Sequence, residues 1–162
     1  MSTNRNPGTT PNSRNGASLP TTMLVNVVLK DEPGSLNTLL SMIEKLGVNL
    51  SAISSSTDGT TGTSVVTLGF ENNRDAQSVV RNLRSNEYTV TTRDAFRLFI
   101  PNQPGSLQSG VLRALSRRGI NINKIISGTN DSVFVLVDNA DEAIEVFRPL
   151  LTPSFLEEAL AA

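Results

Sequence analysis

The 162-residue chain contains no histidine, no cysteine and no tryptophan, and it has a single tyrosine, Tyr88. Without cysteine it can form no disulfide, thiolate nucleophile or cysteine metal site. Without histidine it lacks the commonest general base and metal ligand. Its acidic residues are not spaced like a calcium-binding loop. We therefore expect no metal centre, no cofactor and no enzymatic activity.

The chain also lacks an excess of charge and a long apolar run. It carries 14 basic and 15 acidic residues, a net charge of −1, which gives no broad field to attract nucleic acid or anionic lipid. Arg113, Arg117 and Arg118 lie at the end of a predicted helix, where cations complement the helix dipole, so we interpret them as structural. Without a secretory or membrane-spanning run, the cytoplasm is the expected compartment.

Aromatic residues are scarce, at 4% of the chain, while hydrophobic residues make up 38%. This composition indicates a globular protein with an aliphatic core. The first segment, 1–21, consists mainly of Ser, Thr, Asn, Gly and Pro and has no apolar run. We predict that it is a disordered tail.

What the chain does contain is a repeated pattern. The loop sequence DEPGSL at 31–36 returns as NQPGSL at 102–107, each time between a strand-like and a helix-like run. Each helix-like run then ends in a glycine followed by an asparagine two residues later, at Gly47 and Asn49 and again at Gly119 and Asn121. The duplication predicts two units, 22–93 and 94–162.

Hydrophobic periodicity predicts a βαββαβ order for the first unit. The predicted elements are a strand over 23–30, a helix over 35–46 stopped by Gly47, strands over 49–56 and 64–70, a helix over about 74–85 and a strand over 88–92. The second unit repeats the order from a new strand over 95–100. Its closing segment, 152–162, is predicted to be a short helix or an irregular end rather than a full strand.

These loops and glycine–asparagine pairs, in this order of elements, resemble the ACT domain family. Its members are small ferredoxin-like βαββαβ modules that bind amino acids and related metabolites and often regulate metabolic enzymes. The resemblance implies an α+β protein with two such repeats, each an antiparallel sheet covered by helices on one face. It also implies a ligand held between the loop after the first strand and the second strand of a paired module, near Asn49 or Asn121.

The loops offer a physical case for binding an amino acid. Gly34 and Gly105 have no Cβ, so a carboxylate can approach the free N–H groups of the first helical turn. Asp31 can pair with an ammonium, whereas its counterpart Asn102 contributes no charge. The predicted ligand-binding residues are Asp31, Pro33, Gly34, Ser35, Leu36, Asn49, Asn102, Pro104, Gly105, Ser106, Leu107 and Asn121.

Ordinary folding chemistry explains the same residues in another way. Pro-Gly is a common helix start, and an asparagine after a helix-ending glycine can simply satisfy turn backbone. We therefore keep two hypotheses: a non-enzymatic amino-acid-binding regulator, and a ligand-free adaptor that associates through its sheets. Pairing of the sheets side by side favours a homodimer, although the two repeats could instead pair within one chain, and the first hypothesis also allows a regulated protein partner. Neither involves nucleic acid or a membrane.

Overall fold

The computed structural model describes residues 20–100 and 111–151. Within these ranges the chain forms six strands and four α-helices. They are β1 (Thr22–Lys30), α1 (Ser35–Lys45), β2 (Leu50–Asp58), β3 (Thr63–Phe70), α2 (Asn73–Ser85), β4 (Thr89–Phe99), α3 (Arg113–Arg117), β5 (Ile122–Ser127), β6 (Ser132–Val137) and α4 (Ala140–Phe147). A 3-10 turn, Arg148–Leu150, follows α4. The predicted tail lies outside the described residues except for its last two, 20 and 21.

The first unit has the predicted βαββαβ order, and its strands are antiparallel in the order β2-β3-β1-β4. On β1, Val25, Val27 and Leu29 are buried in a core shared with α1 and α2, as the alternating pattern predicts. Gly47, at φ +69°, follows the C-terminus of α1, and its N–H donates to the Glu44 carbonyl at 2.9 Å. The predicted glycine stop is confirmed.

The prediction of two separate strands at 88–92 and 95–100 is wrong, because β4 runs unbroken over Thr89–Phe99. Its first part, up to Ala95, pairs with β1, and its second part, from Phe96, pairs with β6. No glycine or proline interrupts this stretch, so nothing forces a turn. The predicted boundary between residues 93 and 94 therefore falls inside a strand that both units share.

The second unit repeats the arrangement around the second part of β4. Phe96 and Leu98 face a core built with α3 and α4. Leu151, the last described residue, forms a single antiparallel bridge with Leu98, the place at which a closing strand would pair. The predicted irregular end, 152–162, lies outside the described residues. Through β4 all six strands form one continuous sheet in the order β2-β3-β1-β4-β6-β5, and each of its halves, here called a sheet, has helices on one face only, as the resemblance implies.

The helix-free faces of the two sheets, here called the inner faces, pack against each other. They share a buried cluster that comprises Leu24, Ala52, Ala95, Ile126, Phe134 and Leu136. A Cβ built on Gly69 would lie 3.0 Å from the Phe134 ring, so a larger residue here would force the ring to shift. The edge strands meet as well, because the Thr129 N–H donates to the Ser51 carbonyl at 2.8 Å. The layers are thus helices, sheet, sheet and helices.

An ion pair also joins the two units. Arg97, on the second part of β4, donates to Glu71 at 2.9 Å, and Glu71 also accepts from the Ser51 hydroxyl at 2.6 Å. The Arg97 guanidinium lies over the Phe134 ring, 5.4 Å from its centroid. None of the described helices is long and apolar enough to span a membrane.

Candidate functional site

The N-terminus of α1 has no side-chain cap. Its N-cap is Gly34, at φ +90°, and no hydrogen bond within the described part of the chain reaches the N–H groups of Leu36 and Asn37. A residue without a Cβ suits this left-handed conformation and leaves the helix end open to approach. Exposed N–H groups and the positive end of the helix dipole favour an anion here.

The two other helices of eight residues or more are capped in the usual way. Asn72 accepts from the Asp75 N–H at 2.8 Å at the start of α2, and Asn139 accepts from the Glu142 N–H at 3.2 Å at the start of α4. Both have acidic residues in the first turn, whereas α1 has none. The open end of α1 is therefore a local exception, and it lies on the Pro-Gly loop.

A groove of about 370 Å³ adjoins this helix end, and we call it the Pro-Gly groove. It is formed by the end of β1, the loop, the first turn of α1 and the turn that precedes β4. The lining residues are Val28, Leu29, Lys30, Glu32, Ser35, Thr38, Glu87, Tyr88 and Thr89. The groove thus places carboxylates, hydroxyls and one ammonium beside free N–H groups, which are the partners that a zwitterion requires.

Glu87 stands out in this groove because it adopts φ +65°, which side chains other than glycine, asparagine and aspartate rarely do. The conformation is held by the turn after α2, in which the Glu87 N–H donates to the Arg84 carbonyl at 3.1 Å. Backbone strain of this kind often occurs at functional sites. Sequence reasoning missed Glu87, since only the pairing of β4 with β1 brings this turn to the Pro-Gly loop.

The predicted residues of the first loop lie where the sequence places them. Ser35 lines the groove, and Asp31, Pro33 and Leu36 are in the same loop and first turn. The Asp31 N–H donates to the Gly62 carbonyl at 2.9 Å, which ties the loop to the β2–β3 hairpin. Leu36 is 38% exposed beside the open helix end.

Asn49 does not join this groove within its own unit. It follows the C-terminus of α1, and the helix between them has 11 residues, or about 16 Å at 1.5 Å per residue. Asn49 instead lines a second groove of about 330 Å³, together with Leu40, Ile43, Glu44, Gly47, Val48 and Leu50. The loop and the second-strand asparagine are therefore at opposite ends of α1.

The second unit repeats the groove at the glycine–asparagine pair. This groove has a volume of about 490 Å³ and is lined by Leu112, Leu115, Ser116, Gly119, Ile120, Asn121 and Ile122. The Asn121 N–H donates to the Asp138 carboxylate at 3.0 Å, and its side-chain amide donates to Asn123 at 3.3 Å. The rest of the second predicted set, Asn102, Pro104, Gly105, Ser106 and Leu107, lies outside the described residues.

Among the described residues, two carboxyl groups have a shifted pKa, and neither lines these grooves. Hydrogen bonds from Arg97 and then Ser51 lower the pKa of Glu71. The hydroxyl and the N–H of Thr60 lower the pKa of Asp58 in the β2–β3 turn. In residues 20–100 and 111–151, no three histidine, cysteine or acidic side chains gather in a way that could hold a metal ion.

Comparison with known proteins supports this picture of the first unit. Residues 23–87 match the family model of the ACT domain. A search of curated proteins finds no match.

Solved structures show the fold of a larger part of the chain. A protein from Bacteroides thetaiotaomicron is 23% identical, covers 81% of this chain and 89% of its own, and superposes with a TM-score of 0.70. The ligand-free regulatory subunit of aspartate kinase from Thermus thermophilus is 15% identical, with 89% and 95% covered and a TM-score of 0.55. The corresponding subunit from Thermus flavus is 14% identical, with 90% and 95% covered and a TM-score of 0.53. At these identities the likeness concerns the fold.

Proposed function

Since residues 23–87 of this chain are an ACT domain, we propose that the protein is a non-enzymatic regulatory module that binds an amino acid in the Pro-Gly groove. The observation that carries the proposal is the uncapped N-terminus of α1 beside a groove with carboxylates of its own. The similarity to regulatory subunits of aspartate kinase favours a role in regulation. The absence of histidine and cysteine from the sequence favours binding over catalysis.

The proposed binding mode uses both charges of the ligand. The α-carboxylate accepts from the N–H groups of Leu36 and Asn37 and replaces the missing cap. The α-ammonium pairs with Glu32 or Glu87, and Asp31 is the further acidic group of the loop. A simple acid would lack the second interaction, so the groove favours an amino acid over the corresponding carboxylic acid.

The second-strand asparagine can contribute only if a neighbouring copy supplies it, because Asn49 lies at the far end of α1 from its own loop. We therefore propose a homodimer in which ligand binding and pairing support each other. Ile53 on β2 and Ile125 on β5 occupy equivalent places on the two edge strands and are 43% and 40% exposed. Beyond the contact that joins the two edges at Ser51, the parts of these strands around Ile53 and Ile125 are the surfaces that we propose for pairing.

Calorimetric titration with the common L-amino acids tests the proposal, with the variant Gly34→Asp and the matched control Gly62→Asp. Both glycines have positive φ, at +90° and +66°, and open space at the Cβ position. Aspartate tolerates this backbone region and puts a negative charge at the helix end in the first variant alone. We expect at least tenfold weaker binding in Gly34→Asp and unchanged binding in Gly62→Asp. Equal affinity in both variants, with both folded, contradicts the Pro-Gly groove.

The equivalent exposure of Ile53 and Ile125 also favours the second candidate function, a ligand-free adaptor. An adaptor would associate through its edge strands without any amino acid. Light scattering combined with thermal unfolding separates the two functions. Association that no amino acid changes, together with a melting temperature that no amino acid raises, would support the adaptor.

A further inference from the structure

On the inner face of the first unit, one cross-strand pair of β1 and β3 is polar on both strands. Asn26 on β1 is opposite Thr67 on β3. The Thr67 hydroxyl donates to the side-chain amide oxygen of Asn26, Oδ1, at 2.6 Å. The equivalent pair in the second unit is Arg97 opposite Phe134. The first unit thus keeps a hydrogen-bonded pair at the place where the second packs an aromatic ring.

Lys124 of β5 reaches this pair from the other unit, and its ammonium donates to the Thr67 hydroxyl. The position equivalent to Lys124 in the first unit is Ala52, which is buried in the apolar cluster of the inner faces. Thr67 is 1% exposed, so the ammonium is held against a buried group. Within the described residues, no carboxylate lies within ion-pair distance of Lys124.

The Thr67 hydroxyl donates to Asn26 and accepts from Lys124, so the side-chain donors that remain beside the ammonium are those of Asn26 and Ser54. The Asn26 carbonyl oxygen accepts from Thr67, which leaves its side-chain NH₂ without a partner among the described residues. Ser54, opposite Thr67 on β2, adds a hydroxyl beside the pair. One positive charge with several donors and no neighbouring anion is the arrangement that binds an oxyanion.

The next cross-strand row on the same inner face is apolar and open. Val28 and Val65 are directly opposite each other on β1 and β3, and each is 39% exposed. They are two residues from Asn26 and Thr67 along their strands, so they lie on the same face of the sheet. A ligand whose oxyanion contacts Lys124 would place its other end on these two valines.

We propose that the Lys124 ammonium, held beside the Asn26–Thr67 pair, binds the carboxylate of a small aliphatic monocarboxylic acid, with its alkyl group on Val28 and Val65. The site is formed by both units, since Lys124 comes from the second unit and the other four groups come from the first. It borders the Pro-Gly groove at Val28, but it uses none of the charged groups of that groove and needs no ammonium on the ligand. Binding at this site would strengthen the contact between the two inner faces.

Calorimetric titration of the full chain with isovalerate tests the site, with acetate and sodium sulfate as comparison anions. We expect isovalerate to bind more tightly than acetate, because only its branched chain covers the two valines. Lys124→Gln should weaken isovalerate binding at least tenfold, and Thr67→Val should weaken it severalfold. Lys45→Gln is the control, since Lys45 is an exposed lysine on α1 outside the proposed site.

Each outcome has a defined meaning once the melting temperatures show that the variants are folded. Isovalerate affinity that is unchanged in Lys124→Gln, or reduced equally in Lys45→Gln, overturns the proposal, as does the absence of binding to the original chain. If Gly34→Asp abolishes isovalerate binding and Lys124→Gln preserves it, isovalerate binds in the Pro-Gly groove, and this result also overturns the proposal. Loss of amino-acid binding in Gly34→Asp with isovalerate binding retained supports both sites independently.

Discussion

The inner faces of the two units differ in chemistry at positions that the strand register makes equivalent, because two polar residues of the first unit are matched by two apolar ones in the second. In the first unit, Ser54 on β2, Thr67 on β3 and Asn26 on β1 lie opposite one another in one cross-strand row. The corresponding row of the second unit is Ile126, Phe134 and Arg97. Ile126 and Phe134 belong to the buried cluster, whereas the first unit's row is hydrogen-bonded and adjoins open valines. The second unit's row therefore holds the sheets together, and the first unit's row supports the carboxylate site that we propose at Lys124.

We expect the largest effect on stability when the ring of Phe134, at the centre of the second unit's row, is removed. Phe134 is 0% exposed, so Phe134→Ala should lower the free energy of unfolding by about 3–5 kcal/mol. Thr67→Val at the equivalent position of the first unit's row should cost less, about 2 kcal/mol, because it removes the two hydrogen bonds that the hydroxyl makes with Asn26 and Lys124. Urea denaturation of both variants measures the difference. Equal decreases in the free energy of unfolding for the two variants would show that the two rows contribute equally to stability.

The next largest effect on stability is expected at Gly128, where the backbone of the second unit's edge closely approaches the first unit. A Cβ on Gly128 would lie 2.6 Å from the Ser132 hydroxyl and 2.8 Å from the Ser51 carbonyl. Gly128→Ala should therefore destabilise the protein by about 1–3 kcal/mol through overpacking between β2 and β5. Gly59→Ala, which meets nothing within 4 Å, is the control and should have little effect. Similar melting temperatures for the two variants would contradict the close contact of the edges.

Helix capping gives a smaller effect and sharpens the contrast between α1 and α2. Asn72→Ala removes the side-chain cap of α2 and should cost about 1 kcal/mol. A saturating amino acid should stabilise the original chain and this variant by the same amount, because the proposed ligand caps α1 and not α2. Thermal unfolding with and without the amino acid provides the measurement. A ligand effect that disappears in Asn72→Ala would place binding at α2.

The smallest expected effect is the pH dependence of the ion pair between the units. Arg97, and then Ser51, lower the pKa of Glu71 below its ordinary value of 4.5. The pair therefore stabilises the folded state above that pH, and this contribution is lost as the pH falls through the lowered pKa. Glu71→Gln should make the free energy of unfolding less dependent on pH below about 4.5. If the free energy of unfolding varies with pH identically in the variant and the original chain, Glu71 does not cause this pH dependence.

Local patterns in the sequence predicted most of the first unit. The alternation of Val25, Val27 and Leu29 and the stop at Gly47 both appear as expected. The packing of the inner faces could not be predicted, because Thr67 and Gly69 are compatible with an exposed sheet face as well as with a second sheet. Only the structure places Phe134 against Gly69.

The candidate site shows the same division between local and long-range information. The Pro-Gly loop predicts an open helix end, because every residue that forms it is close in sequence. Glu87 enters the groove through the pairing of β4 with β1, which no local pattern reveals. The continuity of β4 was missed for a similar reason, since two adjacent strand patterns without a turn between them are read as two strands.

The most direct test of the account is an NMR titration that follows the backbone amides of the chain as an L-amino acid identified by calorimetry is added. We predict that the largest chemical-shift changes occur at Leu36 and Asn37, whose N–H groups in the first turn of α1 have no partner among the described residues, followed by Glu87. The isovalerate site should show smaller changes. Largest changes at Asn49 and Asn121, with Leu36 and Asn37 unaffected, would contradict the Pro-Gly groove as the amino-acid site.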